Sequence, residues 1–198
     1  TNALTRAKRL GYASSTTAGN YGGHYSTQAQ YTLGTGVVGG FTYSCRFGVS
    51  DATLQSAART FVGVTSSVAA PTNVDPATLT NAIGIGHNAS DTNWYIYYGG
   101  SVAQTRINLG ANFPINTTDL IDITLWSPPN QNGVVCYHAT RITATNQFET
   151  YGRLGPGTVG TTLPANTTLL AHRAWRNNNT AAAAVGIDIA SVYWETDW

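Results

Sequence analysis

The alternation between Phe41 and Val49 limits what this chain can fold into. Phe41, Tyr43, Cys45, Phe47 and Val49 fall on one parity, with Thr42, Ser44 and Arg46 on the other. Successive side chains of an extended chain point to opposite faces, so the segment reads as a strand with one buried face. The same reading predicts strands over 60–64, 82–86, 94–98, 105–109, 120–126, 134–142, 147–151, 169–175 and 185–194. Turn chemistry separates them: Gly99-Gly100, Asn112-Phe-Pro114, Pro128-Pro-Asn-Gln-Asn-Gly133, Gly155-Pro-Gly157 and Asn177-Asn-Asn179. Many short strands with such breaks predict an all-β antiparallel β-sandwich, jelly-roll-like and with little helix. One or two helical turns are expected near Asp51–Ala58, capped by Ser50 or Asp51, and the Ala70-Pro-Thr-Asn-Val-Asp-Pro76 stretch breaks the strand before it. No internal repeat points to a propeller or solenoid.

Residues 1–40 show little periodicity and are expected to form an irregular N-terminal entry segment, wrapping a surface or joining a preceding segment, ahead of a sandwich head over 41–198. At 198 residues the chain suits a single core. Charged residues are 10% of the sequence, against ~25% in an average soluble protein, so Thr, Ser, Asn and Gly must supply solubility. That composition suits secreted, viral or extracellular β-proteins. A net charge of +1 sets up no long-range field, so no nucleic-acid partner is expected. No apolar run of ~18 residues is present, so no membrane insertion is expected. The absence of Met points to a processed product or part of a longer chain. Cys45 and Cys136 form no metal or redox motif; buried free thiols are the first reading, with a bridge between them left open.

The motifs of catalysis are missing. Asp91, Asp122, Glu149, Asp188, Glu195 and Asp197 include no pair that spacing selects for glycoside hydrolysis. His24, His87, His138 and His172 lack metal spacing, and neither a nucleophile elbow nor a phosphate cradle occurs. No catalytic residue, metal or cofactor is therefore assigned. Recognition candidates are more specific. Gly84 and Gly86 alternate with Ile83 and Ile85, leaving one bare face that a ring or backbone can approach. The polar run from His87 to Asn93 then leads into Trp94-Tyr-Ile-Tyr-Tyr98. If Trp94, Ile96 and Tyr98 face the core, Tyr95 and Tyr97 face outward beside Asp91 and Asn93. Aromatic faces cover sugar C–H groups, and amides and carboxylates take hydroxyls. A second candidate tip is Trp175, Arg176 and Asn177. The competing assignment for both clusters is packing against a second sheet or subunit. Asp188, flanked by apolar residues, is expected to be paired. Alternation groups Val185, Ile187, Ile189 and Tyr193 on one face, opposite Asp188, Val192 and Trp194.

Stretches along nearly the whole chain resemble the C-terminal domains of bacteriophage tail fibres and related tail proteins. They include Arg9-Leu-Gly-Tyr-Ala-Ser14, Ala58-Arg-Thr-Phe-Val-Gly-Val64, Ala70 through Gly86, Asn108-Leu-Gly-Ala-Asn-Phe-Pro114, Leu163-Pro-Ala-Asn-Thr-Thr-Leu-Leu-Ala171 and Glu195-Thr-Asp-Trp198. The resemblance implies a virion protein of the phage tail: a receptor-binding module, normally a homotrimer, attached to a fibre shaft through its N-terminus. Its partner would be a bacterial surface polysaccharide or protein receptor, bound outside the host cell. The expected function is thus lectin-like and non-enzymatic. The alternatives are a tail-associated polysaccharide depolymerase or deacetylase, and a structural trimerisation or capping head.

Overall fold

The computed structural model describes residues 2–154 and 159–196. The predicted break at Gly155-Pro-Gly157 and the final Asp197 and Trp198 lie outside the described residues. In chain order the strands are β1 (Leu10–Ala13), β2 (Tyr21–Tyr25), β3 (Phe41–Val49), β4 (Arg59–Thr65), β5 (Ala82–His87), β6 (Tyr95–Gly99), β7 (Thr105–Asn108), β8 (Leu120–Ser127), β9 (Val135–Ile142), β10 (Gln147–Leu154), β11 (Ala171–Asn177) and β12 (Gly186–Thr196). They pair antiparallel into two six-stranded sheets, ordered β1-β12-β3-β8-β9-β10 and β2-β11-β4-β5-β6-β7. The expected sandwich is the observed fold, with helix among the described residues confined to 3-10 turns at Leu4–Arg6 and Pro76–Thr78. Among the described residues no helix is long and apolar enough to cross a membrane.

The inward parity of each strand builds the core. Tyr43, Cys45, Phe47 and Val49 on β3 and Ile121, Ile123 and Leu125 on β8 face Val62, Val64, Ile83, Ile85, Trp94 and Ile96 from the second sheet. Burying an apolar side chain of this size contributes roughly 1.5–3 kcal/mol, so this seam supplies most of the driving force.

The structure departs from the sequence reading in three places. Residues 1–40 contain β1 and β2, an edge strand for each sheet, and bury Leu4, Tyr31 and Leu33. The segment after Asp51 makes no helical turn. Its chain bends instead, and the Asp51 carboxylate accepts the Gln55 N–H at 3.0 Å. In β12 the pairing with β3 shifts between Ile189 and Ser191. This bulge at Ala190 moves every later side chain to the other face. Val192 and Trp194 therefore pack on the core, while Tyr193 stands outward. Asp188 does find its partner, an ion pair with Arg9. Both cysteines are free: Cys45 is buried on the core side, and Cys136 is only half-buried, on the outer face of β9. They lie on opposite faces of one sheet with β8 between them, which rules out a bridge.

Candidate functional site

Two clusters far apart in sequence meet on the outer face of the second sheet. One cross-strand row runs Gly23, Trp175, Phe61, Gly86, Tyr95, Asn108. The next runs Tyr25, Arg173, Gly63, Gly84, Tyr97, Arg106. The bare glycine face is real: a Cβ at Gly84 would sit 2.9 Å from Cζ of Phe61, so the Phe61 ring lies against it.

Sequence reasoning did not anticipate what covers this face. Phe61, Ala82, Tyr97 and Trp175 form a second buried apolar cluster, and Ala77 and Leu79 pack on it from the connection between β4 and β5. That connection, residues 66–81, is a strap tied down at several points. Arg173 donates to the Ala69 carbonyl. Arg59 donates to Asn73 Oδ1 at 2.6 Å and pairs with Asp75 at 2.7 Å. The Ala89 N–H donates to Asp75 Oδ1 at 3.0 Å, and Gln104 Nε2 donates to the Leu79 carbonyl at 2.8 Å. Asn88 Oδ1 accepts from both the Ala77 N–H and the Tyr97 hydroxyl.

The rim at β6 and β7 stays open. The Arg106 guanidinium lies 4.0 Å above the Tyr95 ring and 5.4 Å from that of Tyr97, and pairs with Asp91. Asp91 also accepts the Asn88 N–H at 2.8 Å. Exposed Asn108 donates to the Tyr95 hydroxyl at 3.2 Å and accepts the Gly110 N–H at 2.8 Å. Tyr95 is half-buried, as are Asp91 and Asn93, and Asn93 bridges to Pro114. The rim therefore offers one ring, an amide, a guanidinium and a carboxylate within a few ångströms, held by one another. Such a set can stack one face of a small polar ligand and exchange hydrogen bonds with its hydroxyls. It contains no described histidine, because His87 turns toward the core.

The predicted residues divide accordingly. Tyr95 and Tyr97 both take the non-core face as expected, but only Tyr95 is accessible. Tyr97 lies fully buried beneath the strap, and burial pushes its hydroxyl pKa well up. Trp175, expected at an exposed tip, is buried in the same cluster. Arg176 points the other way and has no exposed side-chain surface. It donates to both Asp51 oxygens at 2.8 and 2.6 Å, and to Thr60 Oγ1. Asn177 is buried too: its amide donates to the Gly19 carbonyl at 2.8 Å and its oxygen accepts the Asn179 N–H. The tip after β11 is thus tied internally by its own amides. Arg106 and Asn108 went unselected, although alternation within Thr105–Leu109 places both on the face of Tyr95.

A separate cleft of about 520 Å³ opens between the two sheets beside β1 and β2, lined by Arg9, Leu10, Tyr12, His24 and Val192. Beneath it His172 stacks between His24 and Trp194, with ring centroids 5.2 and 5.5 Å away. Among the described residues no group of three or more His, Cys, Asp or Glu is placed to hold a metal ion.

No protein-family model matches the chain, and no curated protein matches it by sequence. Solved structures do share its fold. The lectin UEA-II complexed with galactose superposes with a TM-score of 0.61 at 10% identity, over 96% of this chain and 87% of that one. The seed lectin of Lotus tetragonolobus gives 0.57 at 13% identity, over 96% and 90%. Alginate lyase A1-II', a member of polysaccharide lyase family 7, gives 0.51 at 9% identity, over 96% and 80%. At these identities the likeness is one of fold: the chain is a two-sheet antiparallel β-sandwich of the kind these lectins and the lyase share.

Proposed function

We propose that this protein is a non-enzymatic, lectin-like glycan-binding domain, and that it reads a bacterial surface glycan from the open rim of β6 and β7. The observation that carries this is the mutual arrangement of Tyr95, Arg106, Asp91 and Asn108, a stacking ring and hydroxyl-bonding groups fixed in place before any ligand arrives. Similarity of fold to sugar-binding lectins supports the same class of ligand. The setting as a trimeric receptor-binding module of a phage tail fibre rests on the sequence resemblance alone. It matches the low charge of the surface, and symmetry would turn weak sugar contacts into avidity.

The test is binding of the labelled protein to a panel of bacterial cells and their extracted glycans, with light scattering on the same sample. The expected result is strain-selective binding, lowered about tenfold by Tyr95→Ala and also weakened by Asn108→Ala, with the oligomeric state unchanged. A well-folded trimer that binds no strain and no glycan would make the protein a structural cap instead. The fold shared with an alginate lyase supports a second reading, polysaccharide cleavage. Its signature would be new unsaturated chain ends on incubation with alginate. Against it, the two described carboxylates beside the face, Asp75 and Asp91, are each tied in an ion pair and to a backbone N–H.

A further inference from the structure

The outer face of the first sheet is a different surface. Alternation places Tyr193, Ser44, Thr124, His138 and Tyr151 in one cross-strand row. The next row carries Trp126, with Glu195 and Arg153 at its opposite ends. Three rings here stand in solvent: Tyr151 is 80% exposed, Tyr193 53% and Trp126 46%. From a strand spacing of ~4.8 Å and a rise of ~3.4 Å per residue, Trp126 is roughly 12 Å from each tyrosine, and the tyrosines are roughly 19 Å apart. Two of the rings are oriented by neighbours. The His138 ring meets Tyr151 edge-on, with 6.5 Å between centroids, and the Tyr193 hydroxyl donates to Glu195. Of the charged groups on the face, Arg46 donates twice to Asp122, at 3.0 and 2.6 Å, Glu149 lies 3.4 Å from His138 Nε2, and Glu195 accepts from Tyr193.

We propose that this face is a second binding surface, a platform for an extended uncharged polysaccharide. Trp126, Tyr151 and Tyr193 take the C–H faces of sugars spaced along the chain, and Ser44, Thr124 and His138 take hydroxyls between them. Single exposed apolar side chains are ordinary on a protein surface, but among the described residues every exposed Phe, Tyr or Trp ring stands on this one face. Hydroxyls and an imidazole separate these rings, so they form no contiguous apolar patch, whereas the centre of a stable self-interface is apolar and continuous. A linear polymer that repeats its apolar faces suits separated rings. The Arg46–Asp122 pair and the lack of a cation cluster favour a neutral polymer over an acidic one. The platform lies across the sandwich from the Tyr95 rim and does not depend on it.

Affinity electrophoresis of the full chain, in gels containing hydroxyethylcellulose, dextran or mannan and with alginate as the charged comparison, tests this. Retardation by at least one neutral polymer is expected. Trp126→Ala and Tyr151→Ala should each weaken it by several-fold to about tenfold, with Val68→Ala, at an exposed position outside both sites, unchanged. Both platform residues are exposed, and thermal melts of the variants check that the fold survives. A polymer-induced change in tryptophan fluorescence should vanish in Trp126→Ala. Absence of retardation by all three neutral polymers overturns the proposal, as does retardation indifferent to both substitutions. Retardation lost only in Tyr95→Ala overturns it too, while supporting the rim. An oligomer that Trp126→Ala dissociates, with no polymer bound, assigns the face to a second copy of the chain.

Discussion

Arg176 and Asp51 form an ion pair with no exposed surface on either side chain. Its geometry explains why it persists. Both carboxylate oxygens are met by the guanidinium, one also accepts the Gly186 N–H at 2.9 Å, and a remaining guanidinium N–H reaches Thr60 and His87 Nε2. Removing one partner strands a buried charge, so Asp51→Ala is expected to lose about 3–5 kcal/mol in chemical denaturation. A loss under ~1 kcal/mol would mean that water reaches the site. The neighbouring histidines add a pH dependence. Burial, followed by the Arg176 cation, pushes His87 down to about 3; burial, followed by His24, pushes His172 down to about 4. Both rings stay neutral in the folded chain while the unfolded chain binds protons near 6.5. Stability from this source is therefore complete above pH 6.5 and falls as pH drops toward those folded values. A melting temperature that declines from pH 6.5 to 5, and declines less in His172→Phe, is the expected outcome; parallel curves would remove His172 from the account. None of this is legible in the sequence, where Trp-Arg-Asn-Asn-Asn reads equally well as a solvated tip. Only the fold brings Asp51 to Arg176 across 125 positions of chain.

The strap over 66–81 turns a would-be open sheet face into a second small core. Its anchors are polar and partly exposed, and its apolar contribution is small: Ala77 and Leu79 on the cluster, with Pro71 and Pro76 buried beside them. Such a segment should open well before the sandwich unfolds. Asp75→Ala removes the carboxylate that holds both Arg59 and the Ala89 N–H. Because that pair is partly solvated, the global cost should be only about 1 kcal/mol. Cleavage by thermolysin within 66–81 should nevertheless accelerate at temperatures where the melt is unchanged. Equal cleavage rates would show that the strap opens only with the whole fold. Strands themselves were the readable elements: period-2 alternation marks β3, whose one face is buried, and turn residues delimit the strands after it, among them β4, β5 and β11, which are buried on both faces. β1 and β2 escape that reading because they are short and include Gly11, Gly22 and Gly23, which carry no side chain to show a face. The Ala190 bulge escapes it as well, since one extra residue inverts the parity without altering the composition around it. The strap is invisible for a third reason: burial of Tyr97 and Trp175 depends on a loop that alternation cannot orient.

Considered as a whole, the molecule builds its leading residues into the sandwich. β1 pairs with β12 on one sheet and β2 pairs with β11 on the other, so the first 25 residues finish both sheets. Leu4, Tyr31 and Leu33, between and beside these strands, are buried. Three such side chains at roughly 1.5–3 kcal/mol each rival the ~5–15 kcal/mol by which a typical domain is stable. Losing β1 and β2 would also expose the edges of β12 and β11, two long unpaired strands open to association. A fragment spanning 41–198 is therefore expected to lack a cooperative melt and to aggregate, even though it retains every strand that alternation reveals. Circular dichroism melts and amide dispersion in a two-dimensional nitrogen–proton spectrum, compared with the full chain, decide it. A dispersed spectrum and a cooperative transition would show that residues 1–40 are an appendage after all. A shaft joined through the residues before Leu4, as the tail-fibre resemblance implies, would act through a sandwich whose first strands complete both of its sheets. Binding at the β6–β7 rim or on the outer face of the first sheet would then be presented in a fixed orientation relative to that attachment.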